Sequence, residues 1–146
     1  MVYFGEFRGK TDKQGRIVIP AKLRSLISAG SNGHVYLIKG LENCLFIFSE
    51  KEWKNQSTKL KDLPFTKGDP RTFTRLFFSG AFQSNVDKQG RILIPSNLLE
   101  HAGITENIVI IGAGTRIELW DETRWDKYCA DSLKTYEEIS EKLMEL

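Results

Sequence analysis

Short runs of apolar residues alternate with polar segments along the chain, in a pattern that predicts strands separated by short helices. Arg16–Ile19 is rich in β-branched residues, which favours a strand that Pro20 ends. Apolar residues then recur at three- and four-residue steps over 21–28, as in a helix with one buried face. His34–Lys39 and Cys44–Phe48 have the apolar composition of two further buried strands. The pattern therefore predicts a mixed protein of short strands and helices.

Capping residues mark three further helix starts. Ser49, with Glu52 three positions later, has the pattern of a capping box, and Asp121 is predicted to cap a long C-terminal helix. Between them, Asp69 and Pro70 are predicted to be the N-cap and first residue of a helix. The apolar side of that middle helix is expected to pack inward and consists of Phe73, Leu76 and Phe77. The less polar stripe of the C-terminal helix is expected to form core or a subunit interface and consists of Trp125, Tyr128, Ser132, Tyr136, Ile139 and Leu143.

A nine-residue motif occurs twice in the chain. Asp12–Pro20 reads DKQGRIVIP and Asp87–Pro95 reads DKQGRILIP, so that Val18 and Leu93 occupy the one position that differs. Repeat units of about 55 residues are too small to bury a good core alone, which predicts that they pack on each other or on another chain. The chain is accordingly divided into a first repeat, a linker with a helix, a second repeat and the remainder of the C-terminal helix, over residues 1–57, 58–79, 80–130 and 131–146.

The start of each motif has the composition of a tight turn. An Asp side chain accepts hydrogen bonds from the turn backbone, and Gly adopts positive φ. A structural role is therefore predicted for Asp12, Gly15, Asp87 and Gly90. The arginine that follows each Asp by four positions, Arg16 or Arg91, has two interpretations. Its guanidinium either supports the turn by pairing with the carboxylate or contacts a nucleic acid.

The net charge of +2 conceals an uneven distribution. Residues 1–80 contain 14 basic and 7 acidic residues, whereas residues 81–146 contain 7 basic and 12 acidic residues. The basic residues that flank the first motif are replaced at the aligned positions of the second by Gln83, Asn85, Asn97 and Leu99. This contrast predicts that the first repeat carries an anion-binding face and the second is more of a scaffold. The candidate nucleic-acid-binding residues are Arg8, Lys10, Lys13, Arg16, Lys22, Arg24, Lys88 and Arg91. Duplex DNA is favoured over single strands, because aromatic residues do not alternate with the basic ones.

No catalytic or metal-binding arrangement is recognisable in the sequence. Gly9–Thr11 lacks the earlier glycine and the following helix of a phosphate-binding loop, and Gly112–Gly114 lacks the third glycine of a dinucleotide-binding loop. The two histidines have no companions at metal-ligand spacing, and Cys44 and Cys129 are too few for a disulfide framework. We therefore expect no enzyme activity, metal or cofactor. The chain has neither an apolar run of about 20 residues nor a signal peptide, which predicts a cytoplasmic protein without a membrane segment.

Two DxxxR turns, each followed by an apolar triplet and Pro, resemble the MraZ family. The resemblance extends to Arg75–Gly80 before the second motif and to Glu118–Trp125 after it, and so covers nearly the whole chain. It implies an α+β fold class with two pseudo-symmetric β-barrel repeats. The resemblance also implies that this fold is related to the swapped-hairpin domains of AbrB and MazE, with both halves supplied by one chain and with short helices on the flanks.

The same resemblance implies a function. Members of this family are bacterial DNA-binding transcriptional regulators. For this chain the resemblance implies a repressor of the division and cell-wall gene cluster that is associated with the nucleoid. It would bind direct repeats in promoter DNA as a homo-oligomer, in the form of a ring. By position, Asp12–Arg16 and its basic neighbours match the DNA face, and Asp87–Arg91 matches the second motif.

Two other classes of function stay open from the sequence. The first is an antitoxin-like protein-interaction module on the same fold. The patterned C-terminal helix argues against it, because antitoxins usually carry a disordered recognition tail. The second is an enzyme that uses the Asp and Lys of the repeated turns, and fold class alone does not exclude it.

Overall fold

A computed structural model describes residues 2–28 and 33–144 and contains both strands and helices. The strands in these residues are β1 (Glu6–Lys10), β2 (Arg16–Val18), β3 (His34–Lys39), β4 (Leu45–Ser49), β5 (Phe82–Asn85), β6 (Arg91–Leu93), β7 (Asn107–Gly112) and β8 (Ile117–Asp121). The helices in the same residues are α1 (Ala21–Ser28), α2 (Glu50–Leu60), α3 (Gly68–Ser79), α4 (Ser96–Ala102), α5 (Glu122–Leu133) and α6 (Tyr136–Met144). The α+β class is confirmed, and the elements predicted between residues 16 and 48 are found with ends that differ by one residue at most.

The main sheet exchanges strands between the two repeats. Its six antiparallel strands have the order β1-β7-β8-β4-β3-β5. Strand β1 of the first repeat pairs with β7 of the second, with Glu6 opposite Ile111. Strand β5 of the second repeat pairs with β3 of the first, with His34 opposite Asn85. Each repeat thus completes the sheet of the other, which confirms that the two units pack together.

The remaining two strands, β2 and β6, form an antiparallel ribbon that closes the core. Ile17 of the first repeat lies opposite Ile92 of the second, and each is only 1% exposed. Both side chains belong to one apolar cluster with inward residues of the main sheet such as Leu37 and Leu119. Because the two strands of the ribbon come from different repeats, a single core spans both units.

Helix α2 packs on strands β3 and β4, and α5 packs on β7 and β8. The predicted caps of both helices are confirmed. Ser49 Oγ accepts a hydrogen bond from the backbone N–H of Glu52 at 3.2 Å, and Asp121 Oδ2 accepts one from Arg124 N at 3.1 Å. The Glu52 carboxylate accepts a hydrogen bond from Gln56 Nε2 at 2.7 Å. The structure therefore shows the Ser49 half of the predicted capping box.

The predicted β-barrel repeats are wrong. The six-stranded sheet is open, since its edge strands β1 and β5 do not pair with each other. The reason lies in the two turns that follow these edge strands. Each turn directs the chain away from the sheet and into the ribbon, where β2 and β6 pair only with each other.

The predicted long C-terminal helix is also wrong, because it is divided into α5 and α6. At the break, the backbone N–H and the side-chain hydroxyl of Thr135 both donate to the carbonyl of Ser132, at 3.1 and 3.2 Å. Such local side-chain bonds compete with helical pairing. The apolar residues of α6 are exposed, with Tyr136 at 69% and Leu143 at 60%, so this part of the predicted stripe is not core.

Helix α3 begins earlier than predicted. It starts at Gly68, and its N-cap is Lys67, which makes no side-chain capping bond. Asp69 and Pro70 therefore lie inside the first turn, a position that tolerates the missing N–H of proline. Phe77 stacks on Trp53 of α2 with ring centroids 5.8 Å apart, as expected of an inward residue. The expectation is wrong for Phe73 and Leu76, which are 45% and 56% exposed. The division of the chain into 1–57, 58–79, 80–130 and 131–146 stays a prediction.

Candidate nucleic-acid interface

The first DxxxR turn is held by its aspartate. Asp12 Oδ1 accepts hydrogen bonds from the backbone N–H of Gln14 at 2.9 Å and of Arg16 at 2.8 Å. Its second oxygen, Oδ2, accepts one from Arg16 Nε, also at 2.8 Å. The carboxylate thus organises the turn backbone and the arginine side chain together.

The second turn has the same geometry, and the two turns are joined. Asp87 accepts from Gln89 N at 2.9 Å, from Arg91 N at 2.8 Å and from Arg91 Nε at 2.9 Å. The carbonyl of Gly90 accepts a bond from the first repeat, from Ile19 N, and the carbonyl of Gly15 accepts one from Ile94 N, both at 2.9 Å. Gly15 and Gly90 have φ values of 81° and 79°, which favour glycine. The two turns therefore form one pseudo-symmetric unit at the ends of the ribbon.

The carboxylates of the two turns predict a specific acid sensitivity. The backbone N–H of Arg16 and its guanidinium lower the pKa of Asp12, and Arg91 lowers the pKa of Asp87 in the same way. Because these pKa values are depressed in the folded protein, the stability they contribute is present above the pKa of the unfolded chain. It is lost as the pH falls from about 4 through the folded values. We expect the variant Asp12→Asn/Asp87→Asn to lose less stability over this acid range than the wild type.

Urea denaturation at several pH values between about 5 and 2.5 measures this effect. The control is Asp62→Asn, which removes an exposed carboxylate outside the turns and keeps the acid sensitivity of the wild type. Identical pH profiles for the wild type and the turn variant would show that the carboxylates do not hold the turns as described.

The outward face of the ribbon brings together the two arginines. Since side chains alternate along a strand, Arg16 and Val18 lie on the face opposite to Ile17, and Arg91 and Leu93 lie on the same outward face. Arg16 and Arg91 also line one open groove beside strand β5. Each arginine uses Nε to bind its aspartate, and Arg16 Nη2 also donates to Gln14 Oε1 at 3.2 Å. The structure thus shows the pairing with Asp, the first of the two roles that the sequence left open, and contact of Arg16 and Arg91 with a nucleic acid stays a prediction.

Lys13 and Lys88 occupy the tips of the two turns. Both side chains are exposed, and neither forms an ion pair within residues 2–28 and 33–144. Together with the arginines they give the outward face of the ribbon four cations from two repeats. Asp12 and Asp87 are paired with Arg16 and Arg91, respectively.

Arg8 and Lys10, in contrast, are surrounded by acidic groups. Arg8 pairs with Asp126 at 2.9 Å, with Glu6 at 3.0 Å and with Glu122 at 3.5 Å. Hydrogen bonds to Asp126 and Glu6 raise the pKa of Arg8 further above its ordinary value. Lys10 Nζ lies 3.6 Å from Glu106. Arg8 and Lys10 are therefore engaged in ion pairs away from the ribbon. Their contact with DNA stays a prediction.

The two basic residues of α1 differ in their surroundings. Lys22 is exposed and lies beside a groove formed by the N-terminal segment and α1. Arg24 is half-buried, and its Nη1 donates to the carbonyl of Ile19 at 2.9 Å. Its guanidinium also lies against Gly90, where an added Cβ would overlap Nη1. Arg24 thus supports the second turn, as Leu99 packs beside Gly15 in the first. Direct DNA contact by Lys22 and Arg24 stays a prediction.

Two exposed residues of the ribbon were not predicted as site residues. Val18 is 54% exposed and Leu93 is 44% exposed, although both belong to apolar triplets of the repeated motif. The two-residue period of a strand could have identified them. Val18 follows Arg16 by two residues and Leu93 follows Arg91 by two, so each lies on the same side of its strand as that arginine. The composition of the motif had predicted only that these residues belong to a strand.

The buried Cys44 does not have the properties of an activated nucleophile. Burial raises the pKa of the Cys44 thiol to about 12, so this cysteine is protonated at neutral pH. In the part of the chain that is described, no three acidic, histidine or cysteine side chains converge in a metal-binding arrangement. None of the described helices has the length and apolar character needed to span a bilayer.

Comparison with known proteins places the chain in a family. A family model described as "MraZ protein, putative antitoxin-like" matches it twice, over residues 2–76 and 77–145. The chain is 47% identical to the transcriptional regulator MraZ of Heliobacterium modesticaldum, over 99% of its own length and 98% of that protein. It is 46% identical to the transcriptional regulator MraZ of Acetivibrio thermocellus, over 97% and 96%. The corresponding protein of Alkaliphilus oremlandii is 47% identical over 99% of both chains. The chain therefore belongs to the MraZ family.

Proposed function

We propose that this chain is a DNA-binding transcriptional regulator and that the outward face of the ribbon β2–β6 contacts the DNA. The observation that carries this proposal is the pair Arg16 and Arg91, which come from different repeats and lie on one face. Lys13 and Lys88 add charge at the turn tips. Lysine and arginine neutralise phosphates, and arginine is the commonest reader of guanine in the major groove.

The chain's family supports regulation as the purpose of this binding, since its curated relatives carry the name transcriptional regulator. We extend the proposal to a repressor of the division and cell-wall gene cluster that binds direct repeats in promoter DNA. Both repeats contribute to the proposed face, which modifies the expectation that the first repeat alone binds anions. The position of Arg91 on the ribbon supports DNA contact by the second motif as well, because its Nε binds Asp87 as Arg16 Nε binds Asp12.

The proposed regulator acts as a homo-oligomer, in the form of a ring, in the cytoplasm near the nucleoid. Four cations per chain make a small DNA face, and linked copies raise the overall affinity through effective concentration. The exposed apolar residues of α6, Tyr136, Ile139 and Leu143, support a contact between copies, because such a stripe is costly to leave in water.

An antitoxin-like interaction module is the second candidate, and the description of the matching family model favours it. The same α6 stripe would then receive a different protein. Purification of the chain with a stoichiometric heterologous partner would support this function, whereas a homo-oligomer alone would count against it.

The first experiment measures binding of the purified protein to the DNA upstream of its own gene and to a scrambled duplex. Fluorescence anisotropy at two salt concentrations, with size determination in parallel, provides the necessary values. We expect a large oligomer that prefers the upstream DNA, and affinity that falls steeply as salt rises, because phosphate contacts release counterions. Equal affinity for both duplexes would contradict the proposed regulator.

A further inference from the structure

The ribbon presents two apolar side chains to solvent in the middle of a charged surface. Val18 is 54% exposed and Leu93 is 44% exposed, while Ile17 and Ile92 on the inner face are 1% exposed. The fold therefore buries its core without them. An exposed aliphatic residue is common by itself, but these two lie on the face that carries the cations of both turns.

The register of the ribbon places each apolar residue opposite an arginine. Val18 lies opposite Arg91, and Leu93 lies opposite Arg16. The pseudo-symmetry of the two repeats thus produces two equal groups of one aliphatic and one guanidinium side chain. Both arginines are held by aspartate at 2.8–2.9 Å, so the apolar residues lie beside oriented cations.

This arrangement matches the chemical pattern of the DNA major groove. The major groove is about 12 Å wide and accepts a two-stranded β-ribbon, whose outward side chains then face the base edges. Arginine donates to O6 and N7 of guanine, and aliphatic side chains contact the 5-methyl group of thymine. The four outward residues of the ribbon have the types needed for both kinds of contact.

We propose that Val18 and Leu93 are specificity-determining residues that contact thymine 5-methyl groups in the major groove, with Arg16 and Arg91 beside them. This inference rests on the proposed DNA-binding function and assigns base recognition to residues outside its basic set. Duplex DNA is the occupant, rather than a second copy of the chain, because Lys13 and Lys88 add positive charge on both sides of the apolar pair.

Val18 and Leu93 occupy the one position at which the two repeated motifs differ. The other eight positions of the motif are identical in Asp12–Pro20 and Asp87–Pro95. Leucine reaches further from the backbone than valine, so the two halves of the ribbon contact thymine differently. The pair therefore gives the pseudo-symmetric ribbon a direction on the DNA, as recognition of direct repeats requires.

The test replaces thymine by uracil in the upstream duplex, which removes the methyl groups and keeps base pairing. We expect the wild type to bind the uracil duplex more weakly, by about 4-fold for each methyl group that Val18 or Leu93 would otherwise bury. The variant Val18→Ala/Leu93→Ala is expected to bind the thymine and uracil forms of the upstream duplex equally. Because the effect is the coupling between a protein change and a DNA change, altered duplex shape alone does not produce it.

Leu41→Ala is the matched control, since Leu41 is also an exposed aliphatic residue, at 67%, and lies in the connection between β3 and β4. It is expected to keep the preference for thymine. Thermal melting confirms that each variant is folded. The proposed function itself fails if the wild type does not prefer upstream DNA. This inference alone is overturned if the wild type prefers upstream to scrambled DNA but binds the thymine and uracil forms of the upstream duplex equally. It is also overturned if the variant Val18→Ala/Leu93→Ala still prefers the thymine form. A change in oligomer size with the preference kept assigns the pair to a contact between copies and also overturns it.

Discussion

Replacement of both ribbon arginines, Arg16→Ala/Arg91→Ala, is expected to lower the affinity for upstream DNA by about 30-fold or more. Each well-oriented arginine contact to a guanine or phosphate contributes about 1–3 kcal/mol, and 1.4 kcal/mol is tenfold in affinity. Both guanidinium groups are oriented by aspartate, so little side-chain freedom is lost on binding. Anisotropy titrations of the wild type and the variant against the same duplex measure the change.

Two further variants separate orientation from charge. Arg16→Lys/Arg91→Lys keeps the charge but loses the planar fork, and we expect it to bind scrambled DNA normally while losing preference for the upstream sequence. Arg75→Ala removes an exposed arginine of α3, outside the ribbon, and is expected to leave both affinities unchanged. Unchanged affinity in the double alanine variant, with a normal thermal midpoint, would show that the DNA face lies elsewhere.

The second large effect concerns the shared core. Ile92→Ala is expected to lower the free energy of unfolding by about 3 kcal/mol, because truncation of a buried isoleucine removes apolar packing and leaves a cavity. Ile92 is 1% exposed and lies opposite Ile17 of the other repeat. Since the strands of the two repeats are exchanged, we expect both repeats to unfold in the same transition. Urea denaturation followed by tryptophan fluorescence measures this effect.

The tryptophans provide separate probes of the two repeats, because Trp53 lies in α2 and Trp125 lies in α5. In the variant Trp53→Phe, the remaining tryptophan fluorescence reports the second repeat. The urea midpoint of this fluorescence should equal the urea midpoint measured for the whole chain by circular dichroism. Val18→Ala is the matched control: it truncates an exposed residue of the same ribbon and should cost less than about 0.5 kcal/mol. Separate midpoints for the two repeats would contradict a single shared core.

The repeated motif allowed the turns to be predicted from sequence, since all the bonds that hold them are local. Asp12 bonds to groups no more than four residues away, and the residue types at those positions are sufficient to identify the turn. The strands and the first helix were predictable for the same reason, because their periodicity is contained in short segments. Caps such as Ser49 and Asp121 also act within three residues.

The long-range features could not be predicted in this way. Two copies of one motif are equally compatible with separate barrels and with exchanged strands, and the choice depends on whether β1 pairs within its own repeat or with β7. Arg8 had the properties of a free cation in the sequence, but its partner Asp126 is 118 residues away. The break between α5 and α6, in contrast, is local, since the Thr135 hydroxyl bonds to the carbonyl of Ser132. The stripe that continues from Ser132 to Tyr136 and Ile139 led to the prediction of one helix. These differences change the proposed site from a basic first repeat to a ribbon that both repeats build.

The most direct test of that ribbon as the DNA face is site-specific photocrosslinking. A benzophenone amino acid is introduced in place of Gln14 or Gln89, the exposed residues of the two turns, and in place of Lys51 on α2 as the control. After irradiation with the upstream duplex, we expect covalent protein–DNA products from both turn positions and none from the control. Products from the control position, with none from either turn, would contradict the central claim that the two DxxxR turns and their ribbon contact DNA.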